Sequence, residues 1–377
     1  MDVGADLLFS NVRVSVEGDD AVGYRVRLRA AGDTQSLFVV KEDGAYRILT
    51  IAPRMGPVAL MALERIEAND FAGARRWLDW ARVEMRASNS EDPLEGPAFA
   101  RAWTVGVESD IASARRATAL LLADCSLGER ALPLLREARA SADQPVDRLS
   151  LDLALAKVHL ELSQWRELQE VAGRLVAAVP TSALAFRYQQ WAGIQLQQWD
   201  AVDAASRERL ARLPDDSIAR EMLVHSAEAR GKFGEIPVIM KPLIESGRAT
   251  ASDYNQYAWT SLLMQPVSEQ AVDAARMAYD ETQGRSLAIN HTLACVYAAT
   301  GNPREARDLL LKGMEQVGIA KPDDQAWYGF GLVAEAYGDA ESARDYYARV
   351  QKPSKGVIQA SSVYALSQAR LAALTRK

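Results

Sequence analysis

Ser163-Gln164-Trp165, Gln197-Gln198-Trp199 and Gly231-Lys232-Phe233 are three short polar turns, each delivering a large aromatic residue at an interval of 34 residues. Pro180 and Pro214 repeat at the same interval and fall where a unit would end. Two unrelated residue types sharing one period point to an internal structural repeat, and a period of about 34 residues is the length of a helix-turn-helix unit. The residues between the turns agree. From residue 58 onward the chain is rich in Ala and Leu at helical spacing, with Gly at positions where helices stop.

The register continues downstream. Tyr297, Gly301, Ala306 and Leu310 carry it, and Trp327, Phe330, Gly331, Gly338, Ala343 and Tyr347 give its fullest form. On these residues the sequence resembles the tetratricopeptide repeat, whose consensus sets Trp, Leu, Gly, Tyr, Gly, Ala, an aromatic, Ala and Pro at fixed places in a helix-turn-helix. Aligned on that pattern, units run over 55–88, 112–145, 149–182, 183–216, 217–250, 252–285, 287–320 and 324–356, with a closing helix over 357–374. The resemblance implies a mainly α fold. Residues 54–377 would form a right-handed α-solenoid of about eight hairpins plus a C-terminal capping helix. Small residues such as Ala74, Ala131, Ala271, Ala306 and Ala343 would let paired helices approach, and aromatics would fill the wedges between units. No unit of this kind buries its apolar face alone.

Residues 1–53 follow a different period. Val12, Val14 and Val16 alternate with polar neighbours, and Val22, Tyr24, Val26 and Leu28 alternate with Arg25, Arg27 and Arg29. Two further runs, at Leu37–Val40 and Tyr46–Leu49, are set off by turn-forming Ala31-Gly32-Asp33 and Glu42-Asp43-Gly44. The expectation is a small antiparallel β-meander with one buried face. Such a sheet needs a partner surface, and the first helix after Pro53 and Pro57 is the nearest candidate.

A formal net charge of −6 argues against nucleic acid or anionic lipid as the main ligand. Nowhere do 18 consecutive apolar residues occur, so no membrane insertion is expected. The acidic start lacks an apolar signal segment, which makes a cytoplasmic location the default. Cys125 and Cys295 are the only cysteines and neither belongs to a CxxC or Cys/His cluster, so no metal site is expected. The strand pattern begins almost at once. That suggests an alternative, a repeat region of a larger multidomain bacterial protein that tethers or organises a catalytic domain.

No catalytic or cofactor motif stands out. His159, His225 and His291 lie 66 residues apart, too far along a repeat array to converge on a metal. Cys295 follows His291 by four residues on one helical face, but no orienting carboxylate is evident. Glu221 and Glu228 are two helical turns apart and read as a solvated face. The chain is therefore expected to be a scaffold or adaptor that binds a protein or peptide, without enzymatic activity.

The resemblance implies where. In the family the first helix of each unit lines the concave groove, and its fifth, ninth and twelfth positions point inward. Those positions here are Lys157 and Leu160; Arg187, Trp191 and Ile194; Glu221, His225 and Glu228; Gln256, Thr260 and Leu263; His291 and Cys295; Tyr328 and Glu335. Lys157, Arg187, Trp191, Glu221, His225, Glu228, His291 and Tyr328 are the candidate partner-binding residues, with the mix of aromatic and charged anchors found at interfaces. The Lys, Asn and Arg clamp that grips a C-terminal carboxylate in some members has no counterpart. Two readings of the groove stay open: ligand contact, or a face that is solvated or filled by the chain's own segments. The polar stretch Ala87–Pro97, followed by Trp103, breaks the period and reads as a surface loop or a partner contact.

Overall fold

The computed structural model describes residues 12–30, 32–85, 92–94, 111–264, 266–318, 320–353 and 360–375, which hold four strands and 17 helices. The chain divides into two compact units, Met1–Gln198 and Trp199–Lys377. Trp103 and most of the insertion before it lie outside the described residues.

The first unit opens with strands β1 (Arg13–Asp19), β2 (Gly23–Ala30), β3 (Asp33–Glu42) and β4 (Ala45–Ile51), an antiparallel meander in sequential order. Register pairs Val16 with Val26 and Tyr24 with Val39. A bulge at Phe38/Val39 shifts the pairing to β4, so Phe38 opposes Thr50 while Val39 opposes Ile48. Burial falls on the face bearing Gly23, Arg25, Ser36, Phe38 and Val40. The other face leaves Val14, Val16, Tyr46 and Ile48 exposed.

The reason lies in the hairpin that follows, α1 (Gly56–Glu67) and α2 (Phe71–Glu84). Trp77 and Trp80, one turn apart on α2, cross at 82° with centroids 5.0 Å apart. Phe38 sits 6.1 and 6.3 Å from them. A Cβ on Gly23 would come within 2.7 Å of the Trp77 ring, so only glycine lets β2 approach. Arg25 is buried here because Glu17 at 2.8 Å and Glu84 at 3.7 Å hold its charge. The first helix packs on β4 and its Arg65 donates to the Ala21 carbonyl at 2.6 Å, as the sequence suggested, while both tryptophans that cover the sheet come from the second helix.

The rest of this unit is α3 (Ile111–Asp124) with α4 (Gly128–Ser141), α5 (Pro145–Glu161) with α6 (Trp165–Ala178), and α7 (Ala183–Gln195). Leu121, Leu122, Leu135, Leu151, Leu168 and Leu175 are fully buried between them. Asp152 on α5 accepts from Arg139 on α4 at 3.0 Å and Arg174 on α6 at 2.8 Å. One buried carboxylate thus ties three consecutive helices, with the geometry in which such a charge is tolerated.

The second unit comprises α8 (Trp199–Arg212), α9 (Ser217–Ala229) with α10 (Glu235–Glu245), and α11 (Ala251–Ser261) with α12 (Glu269–Glu281). It continues with α13 (Leu287–Ala299) and α14 (Pro303–Gln316), α15 (Asp324–Ala336) and α16 (Ala340–Ala348), and ends at α17 (Val363–Leu374). In the last three hairpins the second helix buries a small residue near its start: Ala271, Ala306 and Ala343 are all inaccessible. At Gly331 the approach is closest, since a Cβ there would lie 2.3 Å from the Tyr347 ring.

The 34-residue period is written in the backbone. Ser163, Gln197 and Gly231 have φ of 55°, 56° and 67°, the left-handed conformation that ends a helix. The next residue's N–H then donates back across the turn, Gln164 to His159, Gln198 to Gly193 and Lys232 to Ala227, each at 2.8 Å. Trp165, Trp199 and Phe233, two residues beyond each left-handed residue, are half-buried, whereas Tyr347 is fully buried. No helix among the described residues is long and apolar enough to cross a membrane.

Candidate functional site

In the second unit the first helices of successive hairpins, α11, α13 and α15, lie side by side. Trp259, His291 and Tyr328, one from each helix, form a triangular cluster of rings with centroids 5.5 Å and 6.0 Å from Trp259 and 6.5 Å between the other two. Glu335, two turns along α15 from Tyr328, accepts the Tyr347 hydroxyl at 2.9 Å. Glu228 on α9 is also buried.

The chain's own C-terminal segment is seated on these residues. Trp259 Nε1–H donates to the Ser361 carbonyl at 3.1 Å. The Ser361 side chain hydrogen-bonds Glu228, whose carboxyl is nevertheless pushed above its ordinary range by burial. Helix α17 then packs on α15 and α16, and Arg370 reaches Glu335 at 3.4 Å.

The first unit has a counterpart. Asp92, from the insertion that breaks the period, sits at the start of α7. Its Oδ2 accepts the Leu184 N–H at 2.9 Å and its Oδ1 accepts the Ser182 hydroxyl at 2.8 Å and the Leu94 N–H at 2.9 Å. Burial alone would raise this carboxyl, but the amide and hydroxyl donors outweigh it and hold it below its usual value. Leu94, two residues on, has no exposed surface. This part of the insertion is built into the fold.

The sequence-derived candidates fall into three groups. In the first unit Lys157 is paired with Asp124 of α3 at 2.9 Å, while Arg187 and Trp191 project from α7 and are exposed, Trp191 by 43%. On α9, Glu221 and His225 approach to 3.6 Å and both reach solvent. Glu228, His291 and Tyr328 are buried, the last two 6.5 Å apart and all three on the face that the C-terminal segment covers or adjoins. Trp259, which touches both other rings of the cluster, lies one residue before the inward position carried over at Thr260. A tryptophan on a first helix was its only signal. Ser361, Arg370 and Asp92 act at sequence separations that no local pattern reveals.

His291 and Cys295 do meet, at 3.5 Å. The ring nitrogen facing the sulfur is Nε2, which lies 2.7 Å from the Gln325 carbonyl and must donate to it. It therefore has no lone pair for the thiol proton. Burial pushes the imidazole down to about 4 and the thiol far up, opposite to what a thiolate–imidazolium pair requires. The cavity beside His291, bounded by Leu310, Gly313 and Met314, measures about 20 Å³, room for one water. Among the described residues no three His, Cys, Asp or Glu side chains are grouped to hold a metal ion.

No protein-family model matches the chain, and no curated protein does. Among solved structures it is similar to a tetratricopeptide repeat protein from Parabacteroides merdae ATCC 43184, at 12% identity over 85% of this chain and 98% of that one, with a TM-score of 0.35. It is also similar to a chain of the APC/C hetero-tetramer Cut9–Hcn1, at 14% identity over 85% of this chain and 63% of that one, with a TM-score of 0.37. The P58(IPK) TPR domain matches at 12% identity over 85% and 97%, with a TM-score of 0.21. Superpositions this loose add nothing to the argument. The TPR-like repeat fold stands on the chain's own left-handed turns at 34-residue spacing and on its successive packed hairpins.

Proposed function

We propose that the chain is a protein-binding scaffold whose first-helix faces hold a peptide or a helical segment of another protein. The observation that carries this reading is the group Glu228, Trp259, His291, Tyr328 and Glu335, on which a stretch of the chain itself is held through side chains from three helices. A face built this way takes a polypeptide by a main-chain carbonyl, a charged pair and apolar contact, the usual means of helix and peptide recognition. Arg187 and Trp191 in the first unit, and Glu221 and His225 in the second, are the exposed first-helix anchors a partner would touch, with Lys157 at the flank. The acidic net charge favours protein over nucleic acid as that partner. The reading assigns the chain no catalysis and no cofactor.

Replacing Arg187 and Trp191 together with alanine, and separately Glu221 and His225, tests it. Partners captured from source-cell extract by the wild-type chain should be lost from at least one double variant whose circular dichroism is unchanged. Identical capture by both variants would sink the reading. A second reading, in which the repeats organise a neighbouring domain, draws on the apolar outer face of the sheet at Val14, Val16, Tyr46 and Ile48. A continuous reading frame upstream of Met1 would favour it, and a stop codon there would oppose it.

A further inference from the structure

We propose that α17 is a displaceable occupant of the seat formed by α15 and α16 in the second unit, and that the partner fitting this seat is an amphipathic helix with the same apolar stripe and a basic residue where Arg370 stands. The proposal rests on the scaffold reading and names its ligand chemistry.

The resident helix supplies the template. Val363, Leu366, Leu371 and Leu374 fall at positions i, i+3, i+8 and i+11, one face of a helix, and all four pack on the unit's core. Arg370, on the same side, meets Glu335 and Tyr328. Ser362 caps the helix by accepting the Ala365 N–H at 3.3 Å, and Ser361 brings in the chain through Trp259.

The same helix is held thinly. Only Leu366 and Ser367 of its 12 residues are buried, against nine of 13 in α13. An element with so little buried surface opens locally at lower cost than the helices it covers. Its seat also contains a mismatch. Ser367 is completely enclosed, yet its hydroxyl has no hydrogen-bond partner among the described residues. A buried unpaired hydroxyl is a standing penalty of occupancy, and the Arg370–Glu335 pair, both ends partly exposed, offsets little of it.

Displacement requires that the incoming helix bind the seat better than α17 does. A helix with Ala or Val in place of Ser367 has that advantage at a single position. Tethering gives α17 an effective concentration in the millimolar range. The wild-type chain should therefore resist a weak competitor and yield to a strong one.

The test uses the full-length chain and a fluorescein-labelled peptide of residues 360–375 carrying S367A, followed by anisotropy. A chain with L366D and R370E, whose own helix cannot seat, should bind the peptide at least tenfold more tightly than wild type. The unlabelled native-sequence peptide should compete several-fold less well than the S367A peptide. Equal affinity of both chains, with helical content preserved, would overturn the proposal. Should the double variant not fold, S367A in the chain itself decides: its better-fitting resident helix should weaken peptide binding several-fold, and unchanged or tighter binding overturns the idea. If this fails while the Arg187/Trp191 or Glu221/His225 variants still lose partners, α17 is a fixed cap and the scaffold reading survives.

Discussion

Both units of this protein lay a piece of their own chain on a repeat helix far away in sequence, but they hold it differently. In the first, three residues suffice: Asp92 accepts from Ser182, Leu184 and Leu94 at 2.8–2.9 Å and also from the Ala183 N–H at the start of α7, and Leu94 is sealed in the core. The carboxylate meets unsatisfied amides at the positive end of a helix, an interaction that is short and charge-assisted. In the second, a 12-residue helix and the segment leading into it are held by a tryptophan–carbonyl bond, a serine–glutamate hydrogen bond, a long ion pair, the contact of Arg370 with Tyr328 and a partly buried stripe, with a hydroxyl left unpaired. The number of residues engaged does not set the strength of a latch. Donor geometry and complete burial do. The first contact is a rivet and the second a clasp.

The largest expected effect probes the rivet. D92A combined with L94A should destabilise the first unit by roughly 3–6 kcal/mol, from the cavity left by a core leucine and the loss of a helix cap. A denaturation midpoint close to wild type at unchanged slope would mean the 92–94 contact is incidental.

Next comes acid. Unfolded, His291 takes up a proton near pH 6.5, but in its buried site only near 4. Between those values protonation favours the unfolded chain. Its contribution is fully present above about pH 6.5 and is lost as pH falls, by roughly 3 kcal/mol at most. Glu228, held above the ordinary carboxyl range by burial, acts in the opposite sense: its contribution is lost as pH rises through its folded value. H291Q should flatten the stability profile of the second unit between pH 4 and 6.5. A profile as steep as wild type would place the acid sensitivity elsewhere.

Two smaller effects probe the clasp. L366A should cost no more than about 2 kcal/mol, below the L94A effect, because Leu366 sits at the margin of the core. S367A should stabilise by about 1 kcal/mol by removing an enclosed, unpaired hydroxyl. A melting temperature that falls on S367A would show that the hydroxyl has a partner after all.

The repeat was legible because one physical requirement recurs: a left-handed residue ends the first helix, and a bulky residue two places on begins packing the second. Ser163, Gln197 and Gly231 satisfy it with three residue types, so the aromatic and not the glycine carried the period. The sheet was half legible. Alternation fixes that there are two faces but not which one is buried, and the choice was made by Trp77 and Trp80 from another element and by Glu84 neutralising Arg25. The candidate face was the least legible. Inward positions carried over by alignment include Glu228, His291 and Tyr328, but Trp259 is one residue off. Nothing local signals that Ser361, 102 residues away, will meet it.

Hydrogen exchange across the whole chain, resolved by peptide, tests the clasp most directly. The backbone amides of Leu366–Leu374 should exchange by local opening, at least tenfold faster than those of α13 and α15, and at rates insensitive to destabilising changes in the first unit. Exchange of α17 in step with α13 and α15, only when the second unit as a whole unfolds, would contradict the account.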